Sequence, residues 1–422
     1  MSLSSSQFFT RSNYFSIVFA AIPVSFIAGN MIININIGLL ILSAIVIYKK
    51  EIFDQKFYLI DKLLILFFTA LLITSIYNNL YLYFYHEDTF QKSFDIIYKS
   101  IGYLRFLLLY LIIRFLVERE IIKFKLFFLS CFIFTIFVSL DLFYQLKFGV
   151  DIFGYEKTGR KLSGPFKDEL IAGSYLQRFS LFSFFLLPIF FKNKTKNIYK
   201  FIIPLIFLIF FSAIIISGNR MPLVLFVLSI LTVIIFEKET RKYLLVFVSI
   251  FSIIFFLIFK YNITVQKNFL SFYNQIENIT KVIFKKDDLK TVPVPQYYKE
   301  FSTFYDTWLI NKYIGGGIKS FRYYCHTRPN INKNSEFICN MHPHNYYLEI
   351  LTETGIVGFL IISTIFILVL YQSFFKKYFS NSLLSRNHNI IPFIFLFLTE
   401  IFPLKSTGSF FTTGNATYLF LI

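Results

Sequence analysis

The sequence predicts an all-α, polytopic membrane protein of about twelve transmembrane helices, and three observations carry that prediction. Hydrophobic residues make up 56% of the 422 residues and aromatic ones 21%, with a positive mean hydropathy, which is too apolar for a soluble chain of this length. Apolar runs long enough to cross a bilayer recur along the chain. Those runs are continuous, not alternating, which excludes a β-barrel.

The runs lie near 14–29, 31–48, 60–78, 101–117, 122–145, 170–191, 198–217, 221–236, 243–260, 346–371, 389–404 and 409–422. The first sits too deep and starts with too little charge for a cleaved signal peptide, so it reads as part of the fold. The chain then divides into N-terminal helices over 1–145, central helices with arginine-bearing loops over 146–260, a long polar loop over 261–345 and C-terminal helices over 346–422. The formal net charge of +18 would point to nucleic acid in a soluble protein. In a membrane protein it marks cytoplasmic loops, so no nucleic-acid partner is expected. Eighteen Lys and Arg, including Lys49, Lys50, Arg114, Arg119, Lys238 and Arg241, fall in one set of short loops against nine in the other. The richer set is cytoplasmic, which puts both termini inside and 261–345 outside. Arg160, Arg220 and His344 then converge on the outer face.

The stretch His342-Pro343-His344-Asn345-Tyr346-Tyr347-Leu348 closes that polar loop and runs into an apolar helix. Leu348, Leu351, Gly355 and Gly358 follow His344 at helical spacing, and their small residues let neighbouring helices approach. A helix N-terminus favours a neutral imidazole, able to take a proton from an attacking hydroxyl, and also favours an anion. The plainer alternative, a histidine that only ends the helix, stays open on local sequence. Arg220, in Ser217-Gly218-Asn219-Arg220-Met221-Pro222, is either a functional cation or a snorkelling anchor of the turn. Arg160, in Gly159-Arg160-Lys161-Leu162-Ser163-Gly164-Pro165-Phe166, reads on local sequence alone more readily as an exposed loop cation than as a functional one. Arg178 lies about two turns into the next helix. Arginine suits bidentate contact with phosphate, so two or three of them beside a base suggest a phosphate-bearing donor.

His326, His342, His344 and the cysteines show no tetrahedral ligand spacing, so no metal is expected. Cys325 and Cys339, in the outer loop, are candidates for a disulfide in an oxidising compartment, whereas Cys131 reads as packing within a helix. Gly315-Gly316-Gly317 reads as a flexible turn, because no strand or Lys-Ser/Thr pattern accompanies it. No nucleotide motif appears, and no cofactor is expected.

The pattern His344-Asn345-x-x-Leu348-x-x-x-x-Glu353-x-Gly355-x-x-Gly358 resembles the signature of the O-antigen ligase and O-antigen polymerase superfamily. Ser217-Gly218-Asn219-Arg220 is similar to that family's Ser-x-x-Arg turn, and Arg160 with Ser163-Gly164-Pro165-Phe166 to its upstream arginine loop. Gly315-Gly316-Gly317-Ile318-Lys319-Ser320-Phe321 and Pro403-Leu404-Lys405-Ser406-Thr407-Gly408-Ser409-Phe410-Phe411 resemble the segments before its histidine and before its last helix. These ordered motifs span roughly the second two-thirds of the chain. Asn219 and the length of the loop between Arg220 and His344 depart from the family's usual form.

The resemblance implies a membrane glycosyltransferase (GT-C-like) bundle with one long periplasmic loop, in the bacterial inner membrane. It implies metal-independent transfer of a glycan from undecaprenyl pyrophosphate to an acceptor, either lipid A-core or a growing glycan chain. His344 would activate the acceptor hydroxyl, and Arg160 and Arg220 would hold the pyrophosphate. Arg178, Asn345 and Glu353 would contact substrate. The rival from another class is a transporter or flippase of lipid-linked oligosaccharide, which predicts symmetric broken helices and charges at mid-membrane. No such repeat is seen in the sequence, and Arg105, Asp141 and Arg178 are the few internal charges.

Overall fold

The structure, a computed structural model, describes residues 10–85, 90–157, 161–190, 196–238, 240–261, 263–284, 296–328, 339, 344–380 and 388–422. Arg160 and His342 lie outside the described residues. The N-terminal part holds α1 (Arg11–Ala20), α2 (Ile22–Ala28), α3 (Asn30–Tyr48), α4 (Leu59–Tyr85), α5 (Phe90–Glu118) and α6 (Phe124–Phe148). The middle holds α7 (Ala172–Phe190), α8 (Lys196–Ile216), α9 (Arg220–Phe236), α10 (Leu244–Tyr261), α11 (Ile263–Phe284) and α12 (Gln296–Trp308). The last part holds α13 (Tyr346–Leu370), α14 (Ile391–Glu400) and α15 (Thr413–Leu421). An isolated antiparallel bridge pairs Val150 with Glu156.

Every apolar run read from the sequence coincides with a helix, the first being shared between α1 and α2. Among the described residues, seven helical segments are long and apolar enough to cross a membrane: Arg11–Ala28, Asn30–Ile52, Leu59–Leu80, Phe94–Glu118, Phe124–Phe148, Arg241–Tyr261 and Tyr346–Phe379. Three shorter apolar helices, Phe201–Ile216, Arg220–Phe236 and Ile391–Glu400, accompany them. The chain is thus a multi-pass membrane protein, with fewer full-length spans by this measure than the twelve expected.

Lipid tails are as apolar as leucine, so packing and internal hydrogen bonds, not hydrophobic burial, hold such helices together. Aromatic rings supply much of the packing. Phe182 on α7 sits 5.0 Å from Phe127 on α6 and 4.9 Å from Phe393 on α14, joining three helices. Polar side chains satisfy themselves locally: Thr135 Oγ1 donates to the Cys131 carbonyl, and Asn36 Nδ2 donates to Ser25 Oγ at 3.0 Å, tying α3 to α2. Asp61 on α4 accepts from Tyr110 at 2.8 Å and pairs with Arg114, both on α5. Asp61, Glu349, Glu353 and Glu400 are each 0% exposed, so the buried charges exceed the three read from the sequence.

Two expectations change. The segment read as a polar loop over 261–345 is largely helical where it is described, with α11 and α12 as its main elements. The glycine triplet is a tight joint, not a flexible turn. Helix α13 breaks at Gly355, whose φ of 64° suits glycine. Around the break, Ile356 N and Val357 N donate to the carbonyls of Lys312 and Tyr313 at 2.9 and 3.1 Å. The carbonyls of Thr352 and Glu353 accept from Gly316 N and Gly317 N at 3.3 and 2.8 Å. The donors and acceptors freed by the break are thereby paired with the 312–317 turn, as buried backbone requires. A Cβ on Gly315 would lie 2.4 Å from the Glu353 carbonyl carbon, so only glycine permits this approach.

Candidate functional site

The beginnings of four helices meet at one cavity of about 690 Å³. Glu169 to Ser174 bring the start of α7, Gly218 to Pro222 the start of α9, His344 the start of α13, and Thr412 to Asn415 the start of α15. The first turns of a helix carry unpaired N–H groups and a partial positive charge. Neither Asn219, which caps α9, nor Thr412, which caps α15, makes a side-chain capping bond. An anion in the cavity could take up that role.

Arg220 is brought here by its turn. Leu162 N donates to the Ser217 carbonyl at 3.3 Å, and a Cβ on Gly173 would lie 2.7 Å from both Asn219 Cβ and Ser217 Oγ. The loop before α7 and the turn before α9 are therefore packed face to face. Lys161, next to Arg160 in sequence, also lines the cavity. From the 261–345 segment, Gln275 of α11 and Glu300 of α12 contribute to the lining.

Arg178 reaches the cavity wall from within a buried network. Its Nη2 donates to Glu400 Oε1 at 2.7 Å and to Asn415 Oδ1 at 2.7 Å, and its Nε donates to Glu400 Oε2 at 3.3 Å. Glu400 also accepts from the Tyr346 hydroxyl and from Lys405 Nζ, both at 2.5 Å. Burial pulls Lys405 down to about 7, with Glu400 opposing that shift and Arg178 adding to it. A second network lies beside the first. Glu349 accepts from Lys319 Nζ at 3.0 Å, from Ser409 Oγ at 2.5 Å and from Phe410 N at 2.5 Å. Ser406 to Ser409, the wall between these anchors, line the cavity.

His344, Arg220 and Arg178 thus share one cavity, whereas Asn345 and Glu353 are not among its lining residues. Asn345 caps α13: its side-chain oxygen accepts from Tyr347 N at 3.0 Å and Leu348 N at 3.2 Å. Its amide donates to the carbonyls of Pro403 and Lys405, tying His344 to the 403–405 turn. Glu353 is buried at the helix break, and its carboxylate oxygens have no hydrogen-bond partner among the described residues. Cys325 and Cys339 form a disulfide, and Cys131 is buried and free. Among the described residues no cluster of His, Cys, Asp and Glu could hold a metal ion.

Sequence reasoning missed Lys319, Glu349, Glu300, Glu400, Lys405 and Asn415. The signal available for Glu349 and Glu400 was an acid inside or at the end of an apolar run, which is costly unless paired.

The arrangement combines an imidazole able to move a proton with cations and helix ends able to hold an anion. No curated protein matches the chain. Residues 205–363, which carry Arg220, the glycine triplet and the histidine helix start, match the family model described as O-antigen ligase. Over that stretch, which is under half of its length, the chain is similar to the O-antigen ligase family.

Proposed function

We propose that this protein transfers a glycan from an undecaprenyl-pyrophosphate carrier to an acceptor hydroxyl on the periplasmic face of the bacterial inner membrane. In this reading about twelve helices cross the membrane, and the cavity opens on its outer side. The observation that carries the proposal is that His344, Arg220 and Arg178 line one cavity with the uncapped starts of α9 and α15.

His344 takes the proton of the acceptor hydroxyl, whose oxygen attacks the anomeric carbon. The bond from that carbon to the pyrophosphate oxygen breaks, and direct attack inverts the centre. Charge develops on the departing pyrophosphate, and Arg220 with the amides of α9 and α15 is preorganised to stabilise it without a metal. Arg160, adjacent to the cavity residue Lys161, adds a further cation. Arg178 contacts the same anion from its buried network. Asn345 and Glu353 act on substrate indirectly, by fixing the helix start and the helix break.

The acceptor is lipid A-core for a ligase or a growing glycan for a polymerase. Cells lacking the protein accumulate unattached polymer in the first case and single repeat units in the second. The deciding experiment combines purified protein, lipid-linked glycan and acceptor. A new glycosidic bond is expected; movement of the lipid across the bilayer without bond formation would make the protein a flippase and end the proposal.

A further inference from the structure

Glu400 is a single carboxylate shared by two cations. Arg178 and Lys405 both bond to its Oε1, at 2.7 and 2.5 Å, and neither cation is more than a tenth exposed. With both protonated, the trio carries a net positive charge in a buried place. Uncompensated buried charge is unfavourable, and a group that can shed its proton will do so. Arginine does not give up its proton in proteins, but lysine can. The groups facing Lys405 are Glu400 from α14, Arg178 from α7 and the Tyr346 hydroxyl from α13, which accepts from Lys405 Nζ at 3.1 Å. The four residues after Lys405 form a wall of the cavity, as does Arg178. An anion there supplies the charge that the trio lacks.

We propose that Lys405 is a positioning residue whose ammonium forms as a pyrophosphate enters the cavity, so that anion binding takes up one proton. The charged Lys405 then holds Glu400 and Tyr346, and with them Arg178 and the Ser406–Ser409 wall. This inference rests on the cavity being the pyrophosphate site proposed above. The burial that lowers Lys405 to about 7 gives the direction: its ammonium is present below that pH and is lost as pH rises through it.

The test uses the full chain in detergent with undecaprenyl pyrophosphate as the probe, titrated by calorimetry in buffers of different ionisation enthalpy. His344→Ala serves as the background, so that the imidazole does not contribute protons. At about pH 8, uptake of roughly one proton is expected, with affinity falling up to about tenfold per pH unit. Lys405→Arg keeps the charge and should bind with no uptake and a flat profile; Lys405→Met should bind weakly at every pH. Circular dichroism checks that each variant keeps its helices. Undiminished uptake in Lys405→Arg, or none in the background protein, overturns the role of Lys405 alone. No binding of the probe by the unsubstituted chain overturns the pyrophosphate site as well.

Discussion

Ser409 donates its hydroxyl to Glu349 at 2.5 Å, and this bond joins the wall of the cavity to the helix that begins beside His344. Lys319 Nζ closes the triangle at 3.0 Å from Glu349 and 2.7 Å from Ser409. Removing the carboxylate takes from the buried Lys319 ammonium the partner of its ion pair. Glu349→Ala is expected to destabilise the protein by about 3–5 kcal/mol, read as a lowered unfolding midpoint in detergent. An unchanged midpoint would show that Lys319 finds another partner.

His344→Ala should leave insertion and helix content intact while lowering glycan transfer by about 10²–10⁴-fold. The measurement is initial rate in the purified system, with helix content checked by circular dichroism. Full activity would remove the imidazole from the mechanism.

Arg220→Ala should cost about 10²-fold or more in transfer, in line with the loss of a preorganised donor at a developing anion. Arg220→Lys keeps the charge but loses the planar fork, so it should recover only part of the rate. Equal rates for the lysine variant and the original protein would mean that Arg220 serves only as a point charge.

Gly355→Ala places a side chain at positive φ and a Cβ 2.3 Å from the Tyr313 carbonyl oxygen. The backbone strain alone is worth about 1–2 kcal/mol, and the clash adds to it, so the unfolding midpoint and the transfer rate should both fall. Gly38→Ala is the matched control: it lies within α3, with nothing within 4 Å of the added carbon, and should be neutral or slightly stabilising. Similar behaviour of the two variants would contradict the packing described for the break.

Helix positions were legible because the bilayer imposes a length and a polarity on each crossing, and residue type reports both. That His344 and Arg220 line one cavity agrees with the convergence expected from the order of their motifs. The ion networks were not, because Glu400, Arg178 and Lys405, like Glu349 and Lys319, meet only after separate segments pack. Asn345 reads as a cap from its place before a helix, and that local signal outweighs its position beside the histidine. The 261–345 segment misled because a charged, amphipathic helix resembles a loop when only long apolar runs are sought. The glycine triplet misled for a related reason: glycine serves flexibility and close approach alike, and only the partner backbone distinguishes them.

The break at Gly355 also divides α13 into two mechanical bodies. Both are moored to the 312–317 turn, the part that begins beside His344 through Thr352 and Glu353 and the part beyond through Ile356 and Val357. With both sides of the break held at one turn, a tilt of the longer part in a thinner or thicker bilayer would pivot there and leave the start of the helix beside His344 at its mooring. Transfer rates in bilayers of differing acyl length are accordingly expected to spread less for the native chain than for Gly355→Ala.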